Sequence, residues 1–224
     1  IGREREIVRW FKDRNFWRFN VGRYNNFDKH FEAVDRPNNA QHSKYLCNLF
    51  DVLMSLMQRH GRAPIVNQIT SAISGVLYHM PGDRWGTRCM TNVIVVNPDG
   101  TLNNCPDKAN VESPFSKVSD GYQTYLNAPA RRKWIRVSRI ERQTLKCLGC
   151  KYISWCSSGC PITPQDDGAE CSGYYIFLCH VEAFCEQHPD LIKDYLILSK
   201  RKKGGVKCRK KSKKFQQSFS QQLY

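Results

Sequence analysis

Residues 147–160 read CLGCKYISWCSSGC, a C-x2-C-x5-C-x3-C spacing that sets Cys147, Cys150, Cys156 and Cys160 close together in the chain. Thiolate ligands must converge on one small object while the backbone around them stays folded. A two-residue gap brings Cys147 and Cys150 together in one tight turn, with Gly149 expected to supply backbone freedom and N–H groups for the sulfurs. Lys146 and Lys151 flank the pair and are expected to help keep it deprotonated. Given the cysteine content, chance produces this spacing about once in a thousand such chains when positions are treated as independent.

Cys47, Cys89, Cys105, Cys171, Cys179, Cys185 and Cys208 bring the total to 11. Disulfide scaffolds are small secreted chains with evenly used cysteines, and this chain is larger, richer in core-forming stretches and left with an odd cysteine. Two chemistries then compete. A structural zinc closed by Cys147, Cys150, Cys156 and Cys160 accounts for four thiols and leaves Cys89 and Cys105 unexplained. Iron–sulfur clusters use more of them.

The 224 residues suit one large domain or two small ones, and 41% hydrophobic with 25% charged residues excludes wholesale disorder and collagen-like structure. No run of 18 apolar residues exists, so no transmembrane segment is expected. The chain begins at Ile1 with no signal-peptide pattern, so we expect a piece of a longer, cytoplasmic protein. The net charge of +15 is uneven: ten Lys or Arg residues fall between Lys200 and Lys214, and without them the surplus is five. That tail is expected to be solvated and disordered, able to touch a polyanion, with no folded nucleic-acid motif beside it.

Glu4 to Asp13 is a short charged helix candidate, and Phe16 to Tyr24 alternates like a strand. Ser43 to His60 carries apolar residues at helical spacing, with Ser43 and Gly61 as caps and Cys47 as a core thiol. A second apolar helix is expected within Pro64 to Met80, ended by Pro81-Gly82-Asp83. Thr91 to Val96 reads as a strand, Asn97-Pro98-Asp99-Gly100 as a tight turn and Thr101 to Asn104 as the return. Cys89 and Cys105 stand near the open end of this hairpin, about 10 Å out of register along the strand, too far for an undistorted disulfide. A short helix around Tyr122 to Trp134 and a final one from about Ala183 to Leu198 complete the reading.

With these residues in place, the chain resembles the SPASM domain, the auxiliary-cluster domain at the C-terminal end of many radical S-adenosylmethionine enzymes. The resemblance rests on Cys89 and Cys105 around Gly100, the run Cys147-x2-Cys150-x5-Cys156-x3-Cys160, a later cysteine, and the local stretches DGTLNNC and WCSSGC. It covers Cys89 to about Cys171 or Cys179, and residues 16–85 resemble the end of the preceding barrel more weakly. The resemblance implies two [4Fe–4S] clusters with crossed ligation. Cys89, Cys105 and Cys160 would hold the first, which either keeps an open iron site or is completed by Asp107, an outside ligand or water. Cys147, Cys150, Cys156 and Cys171 would hold the second, with Cys179 and then Cys185 as alternatives to Cys171.

The departure from the family matters equally. The chain has no C-x3-C-x2-C triplet to hold the cluster that reduces S-adenosylmethionine, and a complete barrel needs about 200 residues that residues 1–85 do not provide. S-adenosylmethionine and a third [4Fe–4S] cluster are therefore expected only in a full-length enzyme. The expected fold is α+β: a mostly helical barrel remnant (1–85), a SPASM domain with a β-hairpin and short helices (86–190), and a helix end with a basic tail (191–224). The resemblance implies an oxidoreductase that modifies a peptide or protein side chain, such as formylglycine formation on a sulfatase or maturation of a ribosomal peptide. Its clusters would carry electrons and help seat the substrate. The rival readings are a zinc-stapled binding module using the tail on nucleic acid, and a scaffold that keeps clusters only for folding.

Overall fold

The computed structural model describes residues 1–23, 36–80, 82, 85, 91–105 and 114–200. Helix α1 spans Glu4–Asp13, the short charged helix expected there. Strand β1 is Arg18–Phe19, shorter than the alternation suggests; Tyr24 lies outside the described residues. Helix α2 runs Asn39–His60 and starts four residues ahead of the predicted Ser43. Its cap is Asn38, whose side chain accepts from the Gln41 N–H (2.8 Å) while the Gln41 side chain accepts from the Asn38 N–H (2.9 Å). This reciprocal box satisfies two orphan donors and outcompetes a lone serine cap. Gly61 ends α2 in the left-handed region, as expected.

Strand β2, Ile65–Val66, lies inside the stretch read as helix, and helix α3 follows as Asn67–Tyr78. Two β-branched residues behind Pro64 pair in parallel with β1 (Arg18↔Ile65, Phe19↔Val66). The hydroxyl of buried Tyr195 donates to Pro64 O (3.1 Å) and accepts from the Val66 N–H (3.2 Å), fixing this edge. His79, left-handed at φ 54°, closes α3. Of the predicted stop, Pro81 and Asp83 lie outside the described residues.

The hairpin is present but shorter than expected. Thr91 and Asn92 are helical, and the strand is β3, Val95–Val96. It pairs antiparallel with β4, Thr101–Asn103, through the predicted turn, in which the Gly100 N–H donates to Asn97 O (2.9 Å) with Gly100 at φ 78°. Asp99 reinforces the turn by accepting from the Thr101 N–H (3.0 Å) and hydroxyl (2.7 Å). A third strand, β5 (Ser116–Lys117), pairs with β4.

The predicted helix near Tyr122 is two, α4 (Tyr122–Asn127) and α5 (Pro129–Arg136), split where Pro129 starts a new first turn. A π-helical turn, Val137–Glu141, follows. The cysteine-rich segment holds α6 (Leu145–Leu148), α7 (Ile153–Cys156) and the antiparallel pair β6 (Asp166–Asp167) and β7 (Glu170–Cys171). Helices α8 (Tyr175–Gln187) and α9 (Pro189–Lys200) replace the single late helix expected from Ala183; Pro189 interrupts the run.

One hydrophobic core joins these parts. Leu46, Leu49, Phe50, Leu53, Met54 and Met57 form the buried stripe of α2 at three- and four-residue spacing. They pack with Ile69 and Ile73 of α3, Phe177 and Val181 of α8 and Ile192 of α9. Each such side chain contributes about 1.5–3 kcal/mol on burial. Tyr152, Trp155 and Tyr174 belong to the same core, so the cysteine-rich segment is anchored on the helices. The architecture is mixed helix and small sheets, an α+β fold. Among the described residues no helix is long and apolar enough to cross a membrane.

Candidate functional site

Thr144 is the N-cap of α6, and Cys147 sits in that single turn. The Cys150 N–H donates to Cys147 O (3.0 Å), so the two-residue gap does form a tight turn. Gly149 has an ordinary φ of −95° and open space around it, so the freedom expected of it is not used. Cys156 ends α7 and is buried. Ser157, Ser158 and Gly159 then all take left-handed conformations (φ 52°, 64° and 69°), which reverses the chain before Cys160. At Gly159 a Cβ would fall 2.3 Å from the Ser172 carbonyl oxygen, so this position requires glycine.

Gly173 is where two of the sulfurs, those of Cys156 and Cys171, come together. A Cβ there would lie 2.5 Å from Cys156 Sγ and 3.7 Å from Cys171 Sγ. Burial pushes the Cys156 thiol up to about 12, and the charges of Cys171, Cys150 and Cys147 act in the same direction. Burial likewise takes Cys171 to about 11. Cys156 and Cys171 thus lie beside each other, with Cys150 and Cys147 near enough for their charges to act on Cys156. Cys147 differs: burial raises its pKa, yet the Thr144 hydroxyl (3.5 Å) and backbone, the Ser158 hydroxyl (3.6 Å) and Arg142 together bring it below the ordinary thiol value. Among the described residues, no three His, Cys, Asp or Glu side chains are grouped so as to hold a metal ion. Soft thiolates with hydroxyl donors on one sulfur suit a soft metal ion or an iron–sulfur cluster.

The cation near the sulfurs is not the one the sequence suggests. Lys146 pairs with Asp166 (2.8 Å) and Lys151 with Glu182, so both lysines are committed to carboxylates. Arg142 takes their place. Its guanidinium donates to Pro161 O (2.7 Å) and Thr163 O (2.6 Å), and it lowers the Cys147 pKa. Burial lowers the Arg142 pKa, against the opposing charges of Cys160 and Cys147.

Of the proposed first set, Cys105 follows β4 and Cys160 lies in the loop around Arg142, both half-buried, while Cys89 and Asp107 lie outside the described residues. Cys179 stands on α8 and accepts from the Tyr152 hydroxyl (3.7 Å); Cys185 is buried in the core, where burial pushes it to about 12. Neither shares Gly173 with Cys156. Cys47 packs against the core with its pKa raised to about 12, chiefly by burial, as a core thiol should. Cys208 and the tail from residue 201 onward lie outside the described residues.

Sequence reading missed the device that holds the cysteine loop. Glu170 is buried, and its carboxylate accepts from the Ser43 hydroxyl (3.0 Å) and the N–H groups of Cys171 (2.7 Å), Tyr175 (3.0 Å) and Ile176 (2.9 Å). It ties α2, β7 and the start of α8 together. Asn39 donates to Pro164 O (2.8 Å) and Glu170 O (3.0 Å), and accepts from Arg23 (2.6 Å), which also pairs with Asp167 (2.9 Å). A hydroxyl three residues ahead of Cys147 is a readable capping signal for Thr144; Arg23, Asn39 and Arg142 carry no local signal at all.

No protein-family model and no curated protein matches the chain. Its fold is shared with solved structures of anSMEcpe. Native anSMEcpe with bound AdoMet is 16% identical at a TM-score of 0.64, over 88% of this chain and 55% of that one. Native anSMEcpe with bound AdoMet and Cp18Cys peptide gives 15%, a TM-score of 0.60, and 88% and 56%. Hexahistidine-tagged anSMEcpe with bound AdoMet gives 16%, 0.61, and 88% and 52%. At this identity the likeness is one of fold, and the chain spans about half the length of the anSMEcpe structures it matches.

Proposed function

We propose that this chain is the auxiliary-cluster part of a radical S-adenosylmethionine enzyme of the SPASM type that modifies a peptide or protein side chain. The observation that supports the reading is the approach of Cys156 and Cys171 at Gly173, with Cys150 and Cys147 close enough for their charges to act on Cys156, in a fold shared with anSMEcpe. anSME is an anaerobic sulfatase-maturating radical SAM enzyme with a SPASM domain, and its solved structures include peptide complexes. The proposed division keeps residues 1–85 as barrel end, 86–190 as cluster domain and 191–224 as helix end and tail. S-adenosylmethionine and its own cluster would be held by residues outside this chain.

Cys147, Cys150, Cys156 and Cys171 would hold one [4Fe–4S] cluster, and Cys89, Cys105 and Cys160 the other. When bound, these clusters supply one-electron transfer. The chain's own part is to place and shield the thiolates. Thr144 and Ser158 donate to Cys147 and disperse its charge. Gly173 lets the backbone close on Cys156, and Trp85, donating to Gly173 O (2.9 Å), helps exclude water from that side. Arg142 supplies a positive charge between Cys160 and Cys147. Glu170 and Asn39 keep β7, and with it Cys171, on the helical core.

Anaerobic purification followed by iron, zinc and acid-labile sulfide analysis tests the reading. Iron with matching sulfide is expected. Stoichiometric zinc without sulfide supports the zinc-stapled module instead.

A further inference from the structure

Helices α1 and α2 pack side by side and leave a groove of about 810 Å³ between them, a volume in the range of binding clefts. Among the described residues, none of the cysteine loop lines it. Its floor is apolar, made by buried Val8 and half-buried Val52 and Leu56. One wall carries Arg5, Arg9 and Lys12, which stand four and three residues apart and so share one side of α1 over about 10 Å. All three are exposed, and among the described residues none has a hydrogen-bond or ion-pair partner. The α2 wall adds Arg59, which donates to the carbonyl and hydroxyl of Ser55, both neutral, so its charge is not cancelled.

The acids of the groove are already engaged. Glu4 is buried and accepts from the Gly2 N–H (2.9 Å), Glu6 pairs with Arg3 (2.7 Å), and Asp51 Oδ1 bonds His180 Nε2 (2.7 Å). With Glu6 cancelled by Arg3, and Glu4 and Asp51 counted as full negative charges, the groove keeps a surplus of two positive charges. An apolar floor beside a row of unpaired cations complements a helix with apolar residues on one face and carboxylates along its edge. Guanidinium groups also match carboxylates in geometry. Duplex nucleic acid is the weaker match, because its unbroken row of phosphates would meet Glu6 and Asp51 on the rims and leave the floor uncovered. A second copy of the chain, which carries a net charge of +15, is repelled.

We propose that the groove between α1 and α2 docks an acidic amphipathic helix of a partner protein. Arg5, Arg9 and Lys12 pair with its carboxylates, and its apolar residues cover Val52 and Leu56. This docking needs no metal and stands apart from the cluster reading above.

The test is fluorescence anisotropy of a labelled synthetic helix, with Glu at every third or fourth position and Leu on the neighbouring face, titrated with the full chain across a salt series. Binding is expected, weakening as salt rises. Arg5→Gln/Arg9→Gln/Lys12→Gln should weaken it about tenfold at low salt and much less at high salt. The melting temperature should stay unchanged, because all three side chains are exposed and unpaired. A peptide with Gln for each Glu should lose the salt dependence and about tenfold in affinity. A peptide with Ser for each Leu should bind about tenfold more weakly at every salt concentration. Failure of the Glu/Leu helix to bind, or wild-type affinity in the triple variant, overturns the proposal. So does duplex DNA that displaces the helix at lower concentration than unlabelled helix does, or self-association of the chain that the triple variant abolishes.

Discussion

The helical core and the cysteine loop are built on opposite principles. The core of α2, α3, α8 and α9 is held by apolar side chains such as Leu49, Phe50 and Ile73, each at 0% exposure. The loop from Thr144 to Tyr174 packs only a few large residues, Tyr152, Trp155 and Tyr174, and otherwise depends on polar clamps and left-handed turns. Its thiols oppose one another, since Cys156 and Cys171 are raised by burial and by neighbouring negative groups. The core should therefore fold without metal, while the loop gains its stability from whatever the thiolates hold.

The comparison breaks most clearly at Phe50. Phe50→Ala should cost about 3–5 kcal/mol in urea unfolding of the metal-free protein. A loss well under 1 kcal/mol would mean that the helices do not form a native core without metal. Glu170→Ala attacks the clamp between the two regions. It strands a hydroxyl and three backbone N–H groups and should cost about 2–3 kcal/mol, with iron loading lowered in parallel. Gly159→Ala strikes the loop alone. Its φ of 69° and the 2.3 Å approach to Ser172 O should abolish iron loading and cost about 1–3 kcal/mol, while the far-ultraviolet helical signal stays near wild type. Full iron content in this variant would contradict the proposed path of the loop.

Thiol chemistry gives a finer contrast in metal-free protein. Iodoacetamide near neutral pH should label Cys147, whose pKa lies below the ordinary thiol value, well before Cys47 and Cys185, which burial holds near 12. The two core thiols keep protons that the unfolded chain releases near 9.0. Their contribution to stability is complete below pH 9 and is lost as pH rises toward 12. Melting curves across that range should show the decline, and a flat profile would count against the burial of both thiols. The smallest effect belongs to Arg142. If clusters are bound, Arg142→Met should make their midpoint potentials more negative and Lys146→Glu should change them less, because Lys146 already faces Asp166. Equal shifts in an electron paramagnetic resonance titration would return the tuning role to the lysine.

What was legible in the sequence follows the same division. Periodicity revealed α1, most of α2 and most of α3, because an apolar stripe is a local and repeated signal. The turn at Asn97–Gly100 was equally plain, since Pro98 and Gly100 carry its dihedrals themselves. Cysteine spacing located the loop and included Cys156 and Cys171, the two thiols that approach each other at Gly173. Other features depend on distant partners. β2 exists because Arg18–Phe19 pairs with it, and Asn38 prevailed over Ser43 through Gln41. Lys146 and Lys151 looked like partners of the sulfurs only because Asp166 and Glu182 are remote in sequence. Arg23, Asn39 and Glu170 connect elements up to 144 residues apart, which no local pattern records.

The most direct measurement is the metal and sulfide content of the protein purified without oxygen. Our account predicts iron and acid-labile sulfide in equal amounts, approaching about eight of each per chain for two [4Fe–4S] clusters, with little zinc. One zinc per chain and no labile sulfide would contradict it.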